Sequence, residues 1–341
     1  MRALLSGLVL SLLAAVACFA APHPPADLDR RIVVLAGGFD GEVGVAVMDL
    51  KDGWMAAWNG QRRFPQQSVA KLWTALAVLD AVDGGRVRLD DRVQVTRADL
   101  SVFNEPLADR VGRYGASISV RELLALAIVD SDNAANDVLV DRMGGQEAVQ
   151  AVMAKKGLAG IVAGLPQHEL QSRIAGLDWR PGYAGGQRFE AARARVPLTA
   201  REAAMQAYLA SPDDGAEPAA MVRALAALWT GRLLSPASTA LLLRLMQDSV
   251  HGPDRLAGGL GDGWSIAHKT GTGQHLGWLH VGTNDVGLLT APDGRTYAVA
   301  VFIGQTERTL QMREALMRAV ARAVVAHWRV TNGMTRPESP G

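Results

Sequence analysis

Hydrophobic positions along the chain fall into two rhythms. From 41 to 58 and from 264 to 302 they come in short β-rich runs, bounded by turn residues. Between 72 and 247 they recur over longer stretches with helical spacing. The first rhythm predicts strands at Gly41–Leu50 and Trp54–Trp58 around a Lys51-Asp-Gly53 hairpin turn. It also predicts strands at Trp264–His268, Leu276–Val281, Asp285–Thr290 and Tyr297–Phe302, with a turn at Pro292-Asp-Gly294. The second predicts a buried helix over Leu72–Leu79, then helices at Leu123–Val129, Asn133–Met143, Glu147–Lys155, Pro218–Leu228 and Pro236–Gln247. Ser119 and Glu122 form a capping box ahead of Leu123. Gln311–Val330 reads as an amphipathic closing helix.

Two stretches lack either rhythm. Residues 86–118 read as polar loop, and 164–216 as a long irregular excursion with one short helix over Thr199–Leu209. A loop of that length in a compact domain is usually functional or disordered. Strands at both ends must meet in one sheet around a helical middle, so the chain is expected to be α/β with an all-α part, in one unit over 31–330. The α/β part takes about 31–67 and 262–330, the helical part about 68–261, and 331–341 form a tail.

Composition changes this picture little. The 341 residues are 49% hydrophobic and 20% charged, with 35 Lys and Arg against 34 Asp and Glu, which suits a large buried core. Cations are scattered rather than striped, which argues against a nucleic-acid partner. Residues 1–21 carry Arg2, an apolar run from Ala3 to Val16 and the small pair Ala20-Ala21, the pattern of a secretory signal, and 22–30 read as an exposed leader. Export to the periplasm follows. No other stretch approaches the ~18 apolar residues of a membrane span. Cys18 is the only cysteine; cleavage after residue 20 or 21 leaves none, while a lipoprotein signal would make Cys18 the lipidated first residue.

The chemistry lies in three polar clusters. Ser68-Val-Ala-Lys71 opens the first buried helix and puts a hydroxyl and an amine on one helical face. The lysine serves as the base for that hydroxyl if burial or a second cation lowers its pKa. Ser131-Asp-Asn133 stands at a helix start 63 residues later, and Lys269-Thr-Gly271 at the end of a strand 138 residues further on. Each triplet alone is common; the three in this order are not.

With these clusters the chain resembles the penicillin-recognising serine hydrolases, in particular the class A β-lactamases. Further likeness lies in Phe64-Pro65 before the serine, Gly41–Val47, Asp132–Leu139, Gly144-Gly145, Pro218–Met221, Thr230–Ala237 and Pro292–Gly294, covering about residues 30–330. The resemblance implies an antiparallel sheet flanked by helices, with an all-α subdomain and no cofactor or metal. It implies a monomer acting on a β-lactam or a peptidoglycan stem peptide. In that scheme Ser68 becomes acylated, Lys71 takes its proton and Ser131 passes a proton to the leaving nitrogen. Asn133 holds the substrate's side-chain amide, Asp132 braces its turn, and Lys269 and Thr270 face the substrate carboxylate. The backbone N–H groups of Ser68 and Thr272 make the oxyanion hole, where one donor is worth about 3 kcal/mol.

Three features depart from the family. Its E-x-x-L-N loop pattern, whose glutamate activates the deacylating water, falls here on Gln167-His-Glu-Leu-Gln171, with Gln167 at the glutamate position and Gln171 at the asparagine position. Glu169 is the alternative base and His168 an ambiguous neighbour. The excursion from 172 to 217 exceeds the family's compact loop, and its Leu177–Tyr183 segment is suited to line or cover a cleft. The carboxylate-binding arginine has no clear position, Arg295 being a weak candidate in a turn. Three functions stay open: a β-lactamase with slow deacylation, a D-alanyl-D-alanine peptidase, and a non-turnover β-lactam or muropeptide sensor. Gly271-Thr-Gly273 is an incomplete dinucleotide fingerprint, Lys269-Thr270 lacks the glycine of a phosphate loop, and His268, His275 and His280 show no zincin spacing. No G-x-S-x-G elbow is present, which argues against an ordinary α/β-hydrolase esterase.

Overall fold

In the computed structural model, which describes residues 22–333, the chain begins with α1 (Ala26–Gly37), then β1 (Glu42–Asp49), β2 (Met55–Trp58) and β3 (Phe64–Pro65). The helical part follows with α2 (Lys71–Asp83), β4 (Arg92–Val95), β5 (Ala116–Ser119), α3 (Val120–Ile128), α4 (Asn133–Arg142) and α5 (Gln146–Lys155). It continues through α6 (Gln167–Ile174), α7 (Gln187–Arg193), α8 (Leu198–Ala210), β6 (Gly215–Ala216), α9 (Pro218–Trp229) and α10 (Pro236–Gln247). The chain closes with β7 (Ser265–Thr272), β8 (His275–Leu276), β9 (Leu279–Thr290), β10 (Thr296–Thr306) and α11 (Leu310–Thr331).

The main sheet runs β2-β1-β10-β9-β7, with β8 paired to β9, and every pairing is antiparallel. The first strands and the last therefore share one sheet, as the two β-rich ends require. Its faces differ in residue size. On β1, Val43, Val45 and Val47 point to the side covered by α1 and α11, where they meet Ile32, Val320 and Val324. Gly44 and Ala46 point the other way, because side chains alternate along a strand. Their small size admits the Phe64 ring: a Cβ on Gly44 would lie 2.3 Å from it. Phe64 stacks in turn on Phe302, with centroids 6.2 Å apart. The lead-in to Ser68 is thereby fixed to the centre of the sheet. Through the helical part runs α2, buried from Leu72 to Leu79 and packed by α3, α4, α5 and α10.

Five readings need correction. Residues 26–30 are not leader but the first turns of α1, with Leu28 buried. The strands expected at Leu276–Val281 and Asp285–Thr290 are largely one strand, β9, with Leu276 in β8; the polar run Thr283-Asn284-Asp285 that seemed to part them is buried within it. Asn284 Nδ2 donates to the carbonyls of Pro65 (2.8 Å) and Gln66 (3.0 Å), so this run ties the sheet to the nucleophile turn. The 164–216 excursion holds α6, α7 and α8, and 86–118 holds the β4–β5 pair. Helix α11 also extends to Thr331, into the expected tail. The signal segment 1–21, with Cys18, and residues 334–341 lie outside the described residues.

Candidate active site

Ser68 lies in a 3₁₀ turn, Gln67–Ala70, that leads straight into α2. Side chains three apart eclipse in such a turn, which brings Lys71 Nζ to 3.0 Å from Ser68 Oγ. The turn is entered through Gln67 in a left-handed conformation (φ 54°). A buried network holds it there: the Gln67 N–H donates to Asp214 Oδ2 (2.6 Å), and its amide meets Tyr208 and Gln171. Burial raises the Asp214 carboxyl to about 6.

Ser131 is also left-handed (φ 57°), unusual for a residue with a side chain and frequent at functional sites. Asp132 caps α4 by accepting from Ala135 N (2.7 Å), so it braces the turn as expected. Asn104 Nδ2 donates to the carbonyls of Asp130 (2.7 Å) and Ser131 (3.0 Å). The turn so formed delivers the Ser131 carbonyl to Lys71 Nζ (2.7 Å), Asn133 Oδ1 to the same nitrogen (2.6 Å), and Ser131 Oγ to Lys269 Nζ (2.8 Å). Lys71 Nζ is 3.4 Å from Ser131 Oγ. Two buried lysines thus flank one serine hydroxyl.

Strand β7 approaches this cluster closely because its glycines leave room. A Cβ on Gly271 would stand 2.3 Å from the Gln66 carbonyl, and one on Gly273 2.4 Å from that of Val281. Thr272 lines the cleft beside Ser68; Thr270 is buried, and its carbonyl accepts from Lys269 Nζ (3.1 Å). Arg255, missed in the sequence, stands behind the strand. It donates to Thr272 Oγ1 (2.7 Å) and to the carbonyls of Gly271 (3.2 Å) and Asn284 (2.9 Å). Arg295 is elsewhere, in the β9–β10 turn, bound by Asp49 at the end of β1 and Asp52 in the turn that follows it.

Burial lowers Lys71 from 10.5 to about 7, against the pull of Asp137 and Asp132. Burial likewise pushes Lys269 well below its ordinary value, helped by the charges of Lys71 and Arg255. Both amines therefore give up a proton more readily than an exposed lysine does.

The cleft above Ser68 holds about 300 Å³. Gln167 and Gln171, both buried, line it, as do Asn104, Asn133 and Gln274. Gln171 is committed, donating to Gln67 Oε1 (3.0 Å) and accepting from Gln274 Nε2 (3.1 Å). The side chain of Gln167 makes no hydrogen bond among the described residues, and only its N–H is held, by Asp137 Oδ1 (2.6 Å). Glu169 is not brought to the site. It sits on the outer face of α6, paired with Arg173 at 2.9 Å in an i,i+4 contact. His168 turns to Asp137 Oδ2 (2.9 Å); burial works against its charged form, but that carboxylate outweighs it and raises its pKa. No carboxylate lines the cleft among the described residues.

From the 172–217 excursion only Arg193, at the end of α7, lines this cleft; the Leu177–Tyr183 segment, expected to line or cover it, does not. His168, Trp179, Tyr183, Phe189 and Phe103 form a chain of ring contacts with centroids 4.6–6.1 Å apart, tying α6 and α7 to the connection between β4 and β5.

This fold, with Ser68, Lys71, Ser131 and Lys269 around one cleft, places the chain in the class A serine β-lactamase superfamily. The chain belongs to the β-lactamase enzyme family, whose profile matches residues 27–328. It is 28% identical over 299 residues to the extended-spectrum β-lactamase PER-1 of Pseudomonas aeruginosa, covering 86% of this chain and 85% of that protein. It is 26% identical over 322 residues to a β-lactamase of Rhodobacter capsulatus, covering 94% of each. Among solved structures, a β-lactamase from Chitinophaga pinensis superposes with a TM-score of 0.71 at 28% identity, over 89% of this chain and 99% of that one. An ancestral class A β-lactamase does so with 0.71 at 30% identity, over 88% and 99%.

Proposed function

We propose that the protein is an exported serine hydrolase that opens β-lactams through an ester on Ser68 and releases that ester slowly. Lys71 takes the Ser68 proton as Oγ bonds to the lactam carbonyl carbon. The C–N bond then breaks, and the nitrogen receives the proton of Ser131, which Lys71 and Lys269 restore. The N–H groups of Ser68 and Thr272 receive the carbonyl oxygen, and Lys269, Thr270 and Thr272, with Arg255 behind, favour the substrate carboxylate. Asn133 and Asn104 face the acyl side chain. Export rests on the signal-like segment 1–21.

The observation that carries this reading is the amine of Lys71 at 3.0 Å from Ser68 Oγ, lowered to about 7. The slow release rests on Gln167, whose amide orients water but cannot accept its proton, in a cleft without a carboxylate among the described residues. The same lack favours a second reading, a protein that captures a β-lactam or muropeptide without turnover. Intact-mass spectrometry after penicillin exposure tests both: an adduct on Ser68 that decays over the time course supports the hydrolase, and one that persists supports capture. No adduct in the wild type, or an equal one in Ser68→Ala, defeats both. Release of D-alanine from a stem-peptide mimic would instead identify a peptidase.

A further inference from the structure

We infer that Arg193 makes the cleft selective for acyl donors that carry a second carboxylate on the acyl side chain. This rests on the acyl-enzyme reading above. Arg193 comes from the excursion, at the end of α7, and faces the same cleft as Ser68. Its guanidinium lies over the Phe103 ring, 5.5 Å from the centroid. Phe103 holds a left-handed backbone (φ 66°), a costly conformation for an aromatic residue, and is pinned edge-on by Phe189 at 5.3 Å. The cation is thus placed by a strained and braced residue rather than left on a free arm.

Its position relative to the reacting centre follows from the backbone. Asn133 Nδ2 donates to the carbonyl of Val102 (2.8 Å), the residue before Phe103. Arg193 therefore stands on the Asn133 side of the cleft, the side that would take the acyl side chain in that reading. Its charge is only partly met. Glu190, half exposed, takes Nη1 alone (3.1 Å), while Nε is buried with no acceptor among the described residues. Arg201 adds to the positive field: burial and the charge of Arg193 lower its pKa. Glu190, the carboxylate paired with Arg193, is outside the cleft lining, and no carboxylate lines the cleft among the described residues, so an anionic side chain meets a net positive wall. Nη2 of Arg193, with no partner among the described residues, is left to donate one charge-assisted hydrogen bond to a carboxylate.

The test compares two penicillins that differ only by a carboxylate on the phenylacetyl side chain. Formation of the Ser68 ester is followed by intact mass in the mature wild type, in Arg193→Gln and in Arg193→Lys. The wild type should acylate faster with the dianionic penicillin, by about tenfold in rate over apparent affinity, as expected for one hydrogen bond to a charged group. That ratio should fall to about one in Arg193→Gln, stay well above one in Arg193→Lys, and shrink as salt is raised. Equal labelling by both penicillins in the wild type, or an unchanged ratio in Arg193→Gln, overturns the role of Arg193 and leaves the acyl-enzyme standing. If neither penicillin labels Ser68, the acyl-enzyme reading fails and this inference with it.

Discussion

Asn133 Oδ1 lies 2.6 Å from Lys71 Nζ, and the other half of the same amide fixes that orientation. Its Nδ2 donates to the Val102 carbonyl, an oxygen that can only accept, so Oδ1 must face the lysine. The Ser131 carbonyl, 2.7 Å from Nζ, is also acceptor-only. A neutral amine has two N–H bonds, and these two oxygens take both. Its lone pair is then left for the hydroxyl of Ser68 at 3.0 Å. The site presents Lys71 as a base whenever it is uncharged.

A pH profile follows with a definite sign. Burial lowers Lys71 to about 7, so the reactive neutral form is scarce below that value and dominant above it. The rate of Ser68 ester formation should rise as pH increases through about 7 and level off above. Single-turnover acylation from pH 5 to 9 measures it; a rate that falls across this range would contradict the assignment of Lys71 as base.

Under the slow release proposed above, a carboxylate at position 167 should speed turnover. Gln167 faces the cleft with its amide unengaged, so Gln167→Glu puts a base where the deacylating water would stand, raising the deacylation rate by about 10²–10⁴. Glu169→Gln should leave the ester lifetime unchanged and cost at most about 0.5 kcal/mol, because it breaks only an exposed pair with Arg173. Ester lifetimes by intact mass read both variants. The reverse outcome would mean that the loop register is shifted.

Asp137 links the lysine to the loop that carries Gln167. Its carboxylate accepts from the N–H groups of Gln167 (2.6 Å) and His168 (3.0 Å) and from Ser101 Oγ (3.0 Å), and its charge raises Lys71. Asp137→Asn removes that charge, so the acid limb of acylation should move to lower pH. An amide has only one accepting oxygen, so the buried donors cannot all be met, and stability should fall by about 1–3 kcal/mol. The pH–rate profile and a urea midpoint check the two effects separately; an acid limb displaced upward would refute the coupling.

Gly44 tests the anchoring of the nucleophile turn. In Gly44→Ala the new methyl would meet the Phe64 ring at 2.3–2.8 Å, in a site backed by Phe302. Overpacking of this kind costs about 1–3 kcal/mol. Acylation should slow as well, because Phe64 leads into Ser68. Trimming the ring in Gly44→Ala/Phe64→Leu should recover part of the stability in thermal melts. No recovery would place the damage elsewhere.

What could be read along the chain was what local rules govern. The capping box at Ser119 and Glu122 forms as written, with Glu122 N at 3.2 Å from Ser119 Oγ, because both partners sit within one turn. Helices α4, α9 and α10 fall within one residue of their apolar runs. The misreadings share another cause. Thr283, Asn284 and Asp285 look like a break between strands because polar residues usually face water, yet each has a buried partner distant in sequence, such as Arg313 for Thr283 or His268 for Asp285. Residues 164–216 look irregular because α6 and α7 are short, and α7 packs by single aromatic residues rather than by an apolar stripe.

By itself the sequence set Ser68 and Lys71 three apart at the start of one helix, the spacing that lets their polar tips meet. It also set the order of the three clusters and the run Gln167–Gln171 after the second. Tertiary structure alone decided that Lys269 shares Ser131 with Lys71, that Arg255 rather than Arg295 backs Thr272, that Glu169 faces solvent, and that Arg193 enters the cleft over Phe103. Each of those depends on how strands and helices far apart in the chain are packed together. Side-chain spacing along one segment carries no information about that packing.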